Sequence, residues 1–218
     1  FWVVSYRYRY YQDSPNIIFV PEYLFEKNKI REHQKAMQSR VEKLARPAAK
    51  FTEWEKEKYI HDFICENITY DKLKKPYSHE IIGPLGQGVG VCEGIAKSVK
   101  VLCDALGVWC VIAICGNNPE KGIKYRHTWN IVRIGDIYYH VDVTWDDPTW
   151  DVIGRVTHNN FLLSDTGITK TGHSGWDEYE KKMESRNPSP AGSDDCSVVE
   201  SETAGDQSGY DRMDQIPG

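Results

Sequence analysis

The chain is 218 residues long, a length that suits one core with appendages. With 40% hydrophobic residues, seven Trp and thirteen Tyr it carries enough apolar and aromatic surface to fold, which excludes a wholly disordered chain. A net charge of -5 gives no basic footprint for nucleic acid, and no apolar run is long enough for a membrane helix.

The first run, FWVVSYRYRYY, starts at Phe1 without Met and reads as strand, which fits a piece of a longer protein. Residues 1 to 20 form one or two strands, the second bounded by Pro15 and Pro21. Residues 22 to 46 are charged and helix-prone up to Pro47. Next, FTEWEKEKYIHDFICENITYD sets Trp54, Tyr59, Phe63 and Ile64 at helical spacing behind a Thr52/Glu55 capping-box pattern, predicting a helix from about Glu53 to Glu66. A loop from Asp71 to Gly90 precedes a helix from Cys92 to about Leu106, which stops at Gly107. WCVIAIC reads as a buried strand, and RHTWNIVRI and IYYHVDVT as two strands joined at Gly135-Asp136. Residues 187 to 218 hold seven acids against one Arg and read as a disordered acidic tail. Three regions result: an N-terminal extension (1–50), a core domain (51–185) and the tail (186–218).

The six cysteines form no C-x-x-C pair and no close Cys/His cluster, so structural zinc is not expected and free thiols are. GQGVGVCEG precedes a helix, but no strong strand runs into it and its third glycine is misplaced for a dinucleotide loop.

The hairpin turn sets a register in which opposed residues sum to 271. Val132, Ile134, Ile137, Tyr139, Val141 and Val143 then share an apolar face, and His127, Trp129, Tyr138, His140, Asp142 and Thr144 share a polar one. His127 faces Thr144, with Asp142 as its diagonal neighbour. Alone, His127 reads as an exposed strand-end histidine. Asp142, however, interrupts a strong strand pattern where a β-branched or aromatic residue would pair better, and such a break points to a function or a specific partner.

Cys92 lies on the apolar stripe of its helix with Ile95, Ala96, Val99, Leu102, Cys103 and Leu106, which by itself fits core packing. Its place in the first turn argues for reactivity, because open backbone N–H groups and the helix dipole favour a thiolate there. Thiol, imidazole and carboxylate together make a complete set for nucleophilic catalysis. A metal site from Cys92, His127, His140 and Asp142 uses the same polar face and is the weaker reading.

GVGVCEGIAKSVKVLCDALGV, HTWNIVRIGDIYYHVDVTWDDP and FLLSD together resemble the transglutaminase-like superfamily in its bacterial branch, over about Phe51 to Asp165. The resemblance implies an α+β fold with a papain-like core, a cysteine helix packed on an antiparallel sheet, and a catalytic Cys92, His127 and Asp142. Trp129 and Asn130 match the neighbours of the family histidine, Tyr139, Trp145 and Asp146 its strand-and-turn motif, and Tyr70 a feature upstream of the cysteine. The oxyanion donor is left open between Gln87, shortly before Cys92, and the backbone N–H of Cys92. The implied chemistry is acyl transfer on protein or peptide carboxamides without cofactor or metal, as a transglutaminase or as a cysteine protease or amidase. A non-catalytic binding or surface-interaction module is the alternative. Relatives of this type are often secreted or surface-attached, whereas free thiols favour an intracellular, cytoplasmic site. His33, His61, His79, His158 and His173 have no partner that spacing identifies and read as surface or structural.

Overall fold

The structure, a computed structural model, describes residues 2–10, 15–115, 126–147 and 156–173. The acidic tail and nearly all of the 116–126 loop lie outside them.

Strands β1 (Val3–Tyr10) and β2 (Ile17–Tyr23) form an antiparallel pair, with Pro21 inside β2 opposite Tyr6 rather than beyond its end. Helix α1 (Lys27–Ala45) follows, then a short 3-10 turn, Arg46–Ala48. Helix α2 (Glu53–Asn67) opens with the expected capping box: Glu55 N–H donates to Thr52 Oγ1 at 3.3 Å, and Thr52 N–H donates to Glu55 Oε2 at 2.8 Å. Thr52→Ala removes this closure and is expected to cost about 1 kcal/mol, read as a fall of a few degrees in the melting midpoint.

The 71–90 segment, expected as loop, is more ordered than its glycines and prolines suggest. Asp71 organises its start by accepting from the N–H groups of Leu73 and Lys75 and from the Ser78 hydroxyl. A 3-10 turn (Pro76–His79) and a π-helical turn (Ile82–Gln87) follow. Strands β3 (Thr69–Tyr70) and β4 (Val89–Gly90) then pair in parallel, with Tyr70 opposite Gly90. This pair delivers the chain into α3 (Cys92–Leu106), which ends at Gly107 as expected.

Strands β5 (Cys110–Cys115), β6 (His127–Ile134) and β7 (Ile137–Val141) form an antiparallel sheet in the order β5-β6-β7. The hairpin register is the one expected, from Ile134 opposite Ile137 to Asn130 opposite Val141. β7 nevertheless stops at Val141, so the predicted His127–Thr144 pairing is not made. Asp142 caps a short helix, α4 (Val143–Asp146), its side chain accepting from Trp145 N–H. The aspartate therefore does not interrupt a strand; it sits at a strand's end, where a short acceptor side chain is favoured.

One face of the sheet packs Val132 and Val141 against Ile95, Val99, Leu102 and Cys103 of α3, all at most 2% exposed. Burial of each large aliphatic side chain contributes roughly 1.5–3 kcal/mol. Trp2, Met37, Ala45 and Ala48 join the same core, so packing continues across residue 50. The other face, expected to be polar, is also covered: His127, Trp129 and His140 are buried. Residues 160–173 lie against it: a backbone bridge joins Leu163 to His140, Asp142 N–H donates to Asn160 O at 2.9 Å, and the His173 ring lies 5.0 Å from Trp129. That segment includes α5 (Asp165–Lys170).

Candidate active site

Cys92 is the first residue of α3 and 1% exposed. Val91, the residue before it, offers no side-chain cap, so the backbone N–H of Cys92 is not claimed by one. The close approach that fixes this helix end needs a glycine at 94, where a Cβ would collide with the Ser78 carbonyl oxygen. Val91 N–H bonds that same oxygen at 3.1 Å. Behind the first turn lies a buried charge network. Lys97 Nζ donates to Glu80 Oε1 and lies 2.7 Å from Glu93 Oε1, while His79 Nδ1 lies 3.0 Å from Glu93 Oε2. Burial alone would raise the Glu93 carboxyl, but His79 and Lys97 outweigh it and hold it down at about 2. The carboxylate next to Cys92 is thus matched by a cation.

His127 opens β6, opposite Cys115 on β5. Its Nε2 lies 2.5 Å from Asp142 Oδ2. Burial of the ring would lower its pKa, but the Asp142 carboxylate and then Cys92 raise it well above the ordinary histidine value. Burial would likewise raise Asp142, and the charge and hydrogen bonds of His127 and His173 hold it well below the usual carboxylate range. Asp142 is therefore an acceptor, and His127 carries its neutral-form proton on Nε2. That leaves His127 Nδ1, which is buried and makes no hydrogen bond of good geometry, as the atom available to the nearby Cys92 thiol. Trp129 stacks on the His127 ring (centroids 5.7 Å, 21°) and Trp145 flanks it at 5.5 Å.

The structure thus brings Cys92, His127 and Asp142 together. Trp129 packs on the histidine and donates Nε1–H to His140 Nδ1 at 2.9 Å. Asn130 is a clamp: its amide donates to Ala96 O of α3 at 3.1 Å and to Val111 O of β5 at 3.3 Å. Tyr70 sits in β3, half-buried beside the strand that enters α3. Gln87 is not brought in. It is exposed at the end of the π-helical turn, and no described contact joins it to the three residues. His140, placed with Cys92 in the metal reading, is engaged by Trp129 and by Asp165 Oδ1 at 3.1 Å.

Sequence reasoning missed several partners. His173 is buried and its Nε2 lies 2.6 Å from Asp142 Oδ2. Asp146 is a buried hub, accepting from Asn160 N–H at 3.0 Å and facing His61 Nε2 at 3.1 Å. His158 pairs with Asp62, and His33 stacks on Trp2. These contacts join residues 14 to 96 positions apart, and no spacing signal reports them. Two groups, His61/Asp62/His158 and His127/Asp142/His173, place donor atoms within 4.8 Å of one another. Hydrogen bonds between nitrogen and carboxylate account for both spacings, and we assign neither as a metal site. None of the five described cysteines is in a disulfide. A cavity of about 890 Å³ opens beside Trp2, Met37, Val41, Ala45, Ile81 and Leu106, and none of the three site residues lines it.

The model of the transglutaminase-like superfamily matches residues 38–143, just under half of the chain and a span that includes Cys92, His127 and Asp142. That span is similar to the core of the transglutaminase-like superfamily, and the chain folds as a mixed α+β structure. Solved structures similar to it include a TGase, 13% identical, with a TM-score of 0.42 over 79% of this chain and 49% of that one. Another is a candidate cysteine protease from Cytophaga hutchinsonii, 22% identical, with a TM-score of 0.37 over 48% of this chain and 37% of that one. The chain thus spans about half of the first protein and little more than a third of the second. No curated protein matches the chain significantly. Among the described residues, no helix is long and apolar enough to cross a membrane.

Proposed function

We propose that the protein catalyses thiol-dependent acyl transfer on protein or peptide carboxamides, with Cys92 as nucleophile, His127 as base and acid, and Asp142 as the group that orients His127. The observation that carries the reading is the division of labour on His127: Nε2 is tied to Asp142, Nδ1 is buried with no other hydrogen-bond partner, and Cys92 acts on the same ring.

The steps follow from that arrangement. His127 Nδ1 takes the Cys92 proton, and the thiolate adds to the carbonyl carbon. The developing oxyanion is met by the Cys92 backbone N–H at the helix start, where the dipole also favours negative charge. As the carbonyl re-forms, the C–N bond breaks and His127 Nδ1–H protonates the departing nitrogen. An amine or water then attacks the thioester, gives its proton to His127 and releases Cys92. Attack by amine makes the protein a transglutaminase; attack by water makes it a cysteine protease or amidase.

Iodoacetamide tests the pair without a known substrate. At pH 6 to 7 Cys92 is expected to alkylate faster than the other thiols, with the site located by mass spectrometry, and His127→Ala is expected to slow it about tenfold or more. Equal rates at all cysteines, or a rate indifferent to His127, would point instead to a non-catalytic module on this fold.

A further inference from the structure

Asp142 is not the partner of one histidine. Its Oδ2 receives His127 Nε2 at 2.5 Å and His173 Nε2 at 2.6 Å, while its Oδ1 accepts Trp145 N–H at 3.2 Å. We infer that His173 is a positioning residue of the same site, a second Nε2–H donor that fixes the Asp142 carboxylate from which His127 is aimed at Cys92. This assignment rests on the acyl-transfer reading and extends the site past residue 143, where the superfamily match ends.

The placement of His173 is built. Gly172 adopts φ +99°, a conformation open to glycine, and turns the chain after α5 so that the next side chain points inward. His173 is buried although Thr169, Lys170 and Gly172 just before it are exposed. Its ring lies 4.2 Å from Trp145 and 5.0 Å from Trp129, the two indoles that also flank His127. Both ring nitrogens are engaged. Because Asp142 is an acceptor, His173 Nε2 carries a proton, and Nδ1 meets Thr171 Oγ1 at 2.9 Å.

Removing the second donor has two consequences for His127. One oxygen of a carboxylate with three donors becomes less constrained, so the aspartate is freer to rotate about its broad χ2. The carboxylate's charge, shared between two imidazoles, is also left to His127 alone, which favours the imidazolium. The other titratable groups that act on this cluster are Cys92 from α3, Cys115 from β5 and His140 from β7, with Asp165 beyond His140. None of them supplies an equivalent N–H to Asp142 Oδ2 among the described contacts.

The test uses the 218-residue chain and separates donor from packing. His173→Phe keeps an aromatic ring beside Trp145 without the N–H; His173→Gln keeps an N–H at the position of Nε2. The readout is the titration midpoint of the His127 imidazole by nitrogen NMR. His173→Phe is expected to raise it by about half to one pH unit, and His173→Gln to leave it near the wild-type value. If both variants leave the midpoint in place, or both move it alike, His173 only packs and the inference is overturned. His173→Ala replaces His173→Phe if the larger ring prevents folding. If His127→Ala does not change the alkylation rate of wild-type Cys92, the acyl-transfer reading fails instead, and the NMR comparison still decides whether His173 acts on His127.

Discussion

Cys92→Ala is expected to abolish turnover on any carboxamide substrate, by roughly 10⁴-fold or more, while the melting midpoint stays within about 4 °C of wild type. The two halves of this expectation have separate causes. Without sulfur no thioester can form, and water acting directly in the site has neither the nucleophilicity nor the placement to replace it. The fold loses little because α3 is held elsewhere: by Ile95, Val99, Leu102 and Cys103 in the core, by Asn130 on the Ala96 carbonyl, and by Lys97 between Glu80 and Glu93. Removing one sulfur atom from such a site costs about 1 kcal/mol. A folded Cys92→Ala that retains activity would remove Cys92 from the chemistry. A Cys92→Ala that unfolds would mean the residue is core first, the other reading that its stripe allowed.

Much of the scaffold was legible because it rests on local rules. The capping box at Thr52, the stripe from Cys92 to Leu106, the stop at Gly107 and the turn at Gly135-Asp136 each follow from a few adjacent residues. The hairpin register was legible for the same reason, since one turn fixes every pair above it. What was not legible lies where the chain returns from far away. His173 reaches Asp142 across 31 residues and His61 reaches Asp146 across 85, and neither pairing leaves a periodic trace. Helix α4, four residues long, is too short to show a period, so VDVT reads as strand when only its Asp cap is informative. Gln87 shows that nearness in sequence is a weak guide: five residues before Cys92, it is exposed at the end of a π-helical turn that its glycines and proline concealed.

Asp142→Asn should separate the structural and chemical duties of that residue. Asparagine keeps an oxygen to accept from Trp145 N–H, so α4 retains its cap. It has only one acceptor oxygen, and its NH₂ would confront the Nε2–H groups of His127 and His173, both of which need an acceptor. His127 then loses the partner that fixes its tautomer, and activity is expected to fall about 10³- to 10⁴-fold. Stability should fall by about 3–5 kcal/mol, the scale for breaking a buried charged pair from one side. The pH dependence identifies the cause. Asp142 is depressed in the folded state, so its contribution is present above the unfolded aspartate value near 4 and is lost as pH falls through the lower folded value. His127 is raised, so its contribution is complete below the unfolded histidine value near 6.5 and is lost as pH climbs through the higher folded value. The pair therefore stabilises most between about pH 4 and 6.5. Urea denaturation across pH 3 to 9 should show the wild-type advantage over Asp142→Asn widest in that window and narrower on both sides. A constant difference at every pH would assign the loss to packing and leave the ion pair without a role in stability.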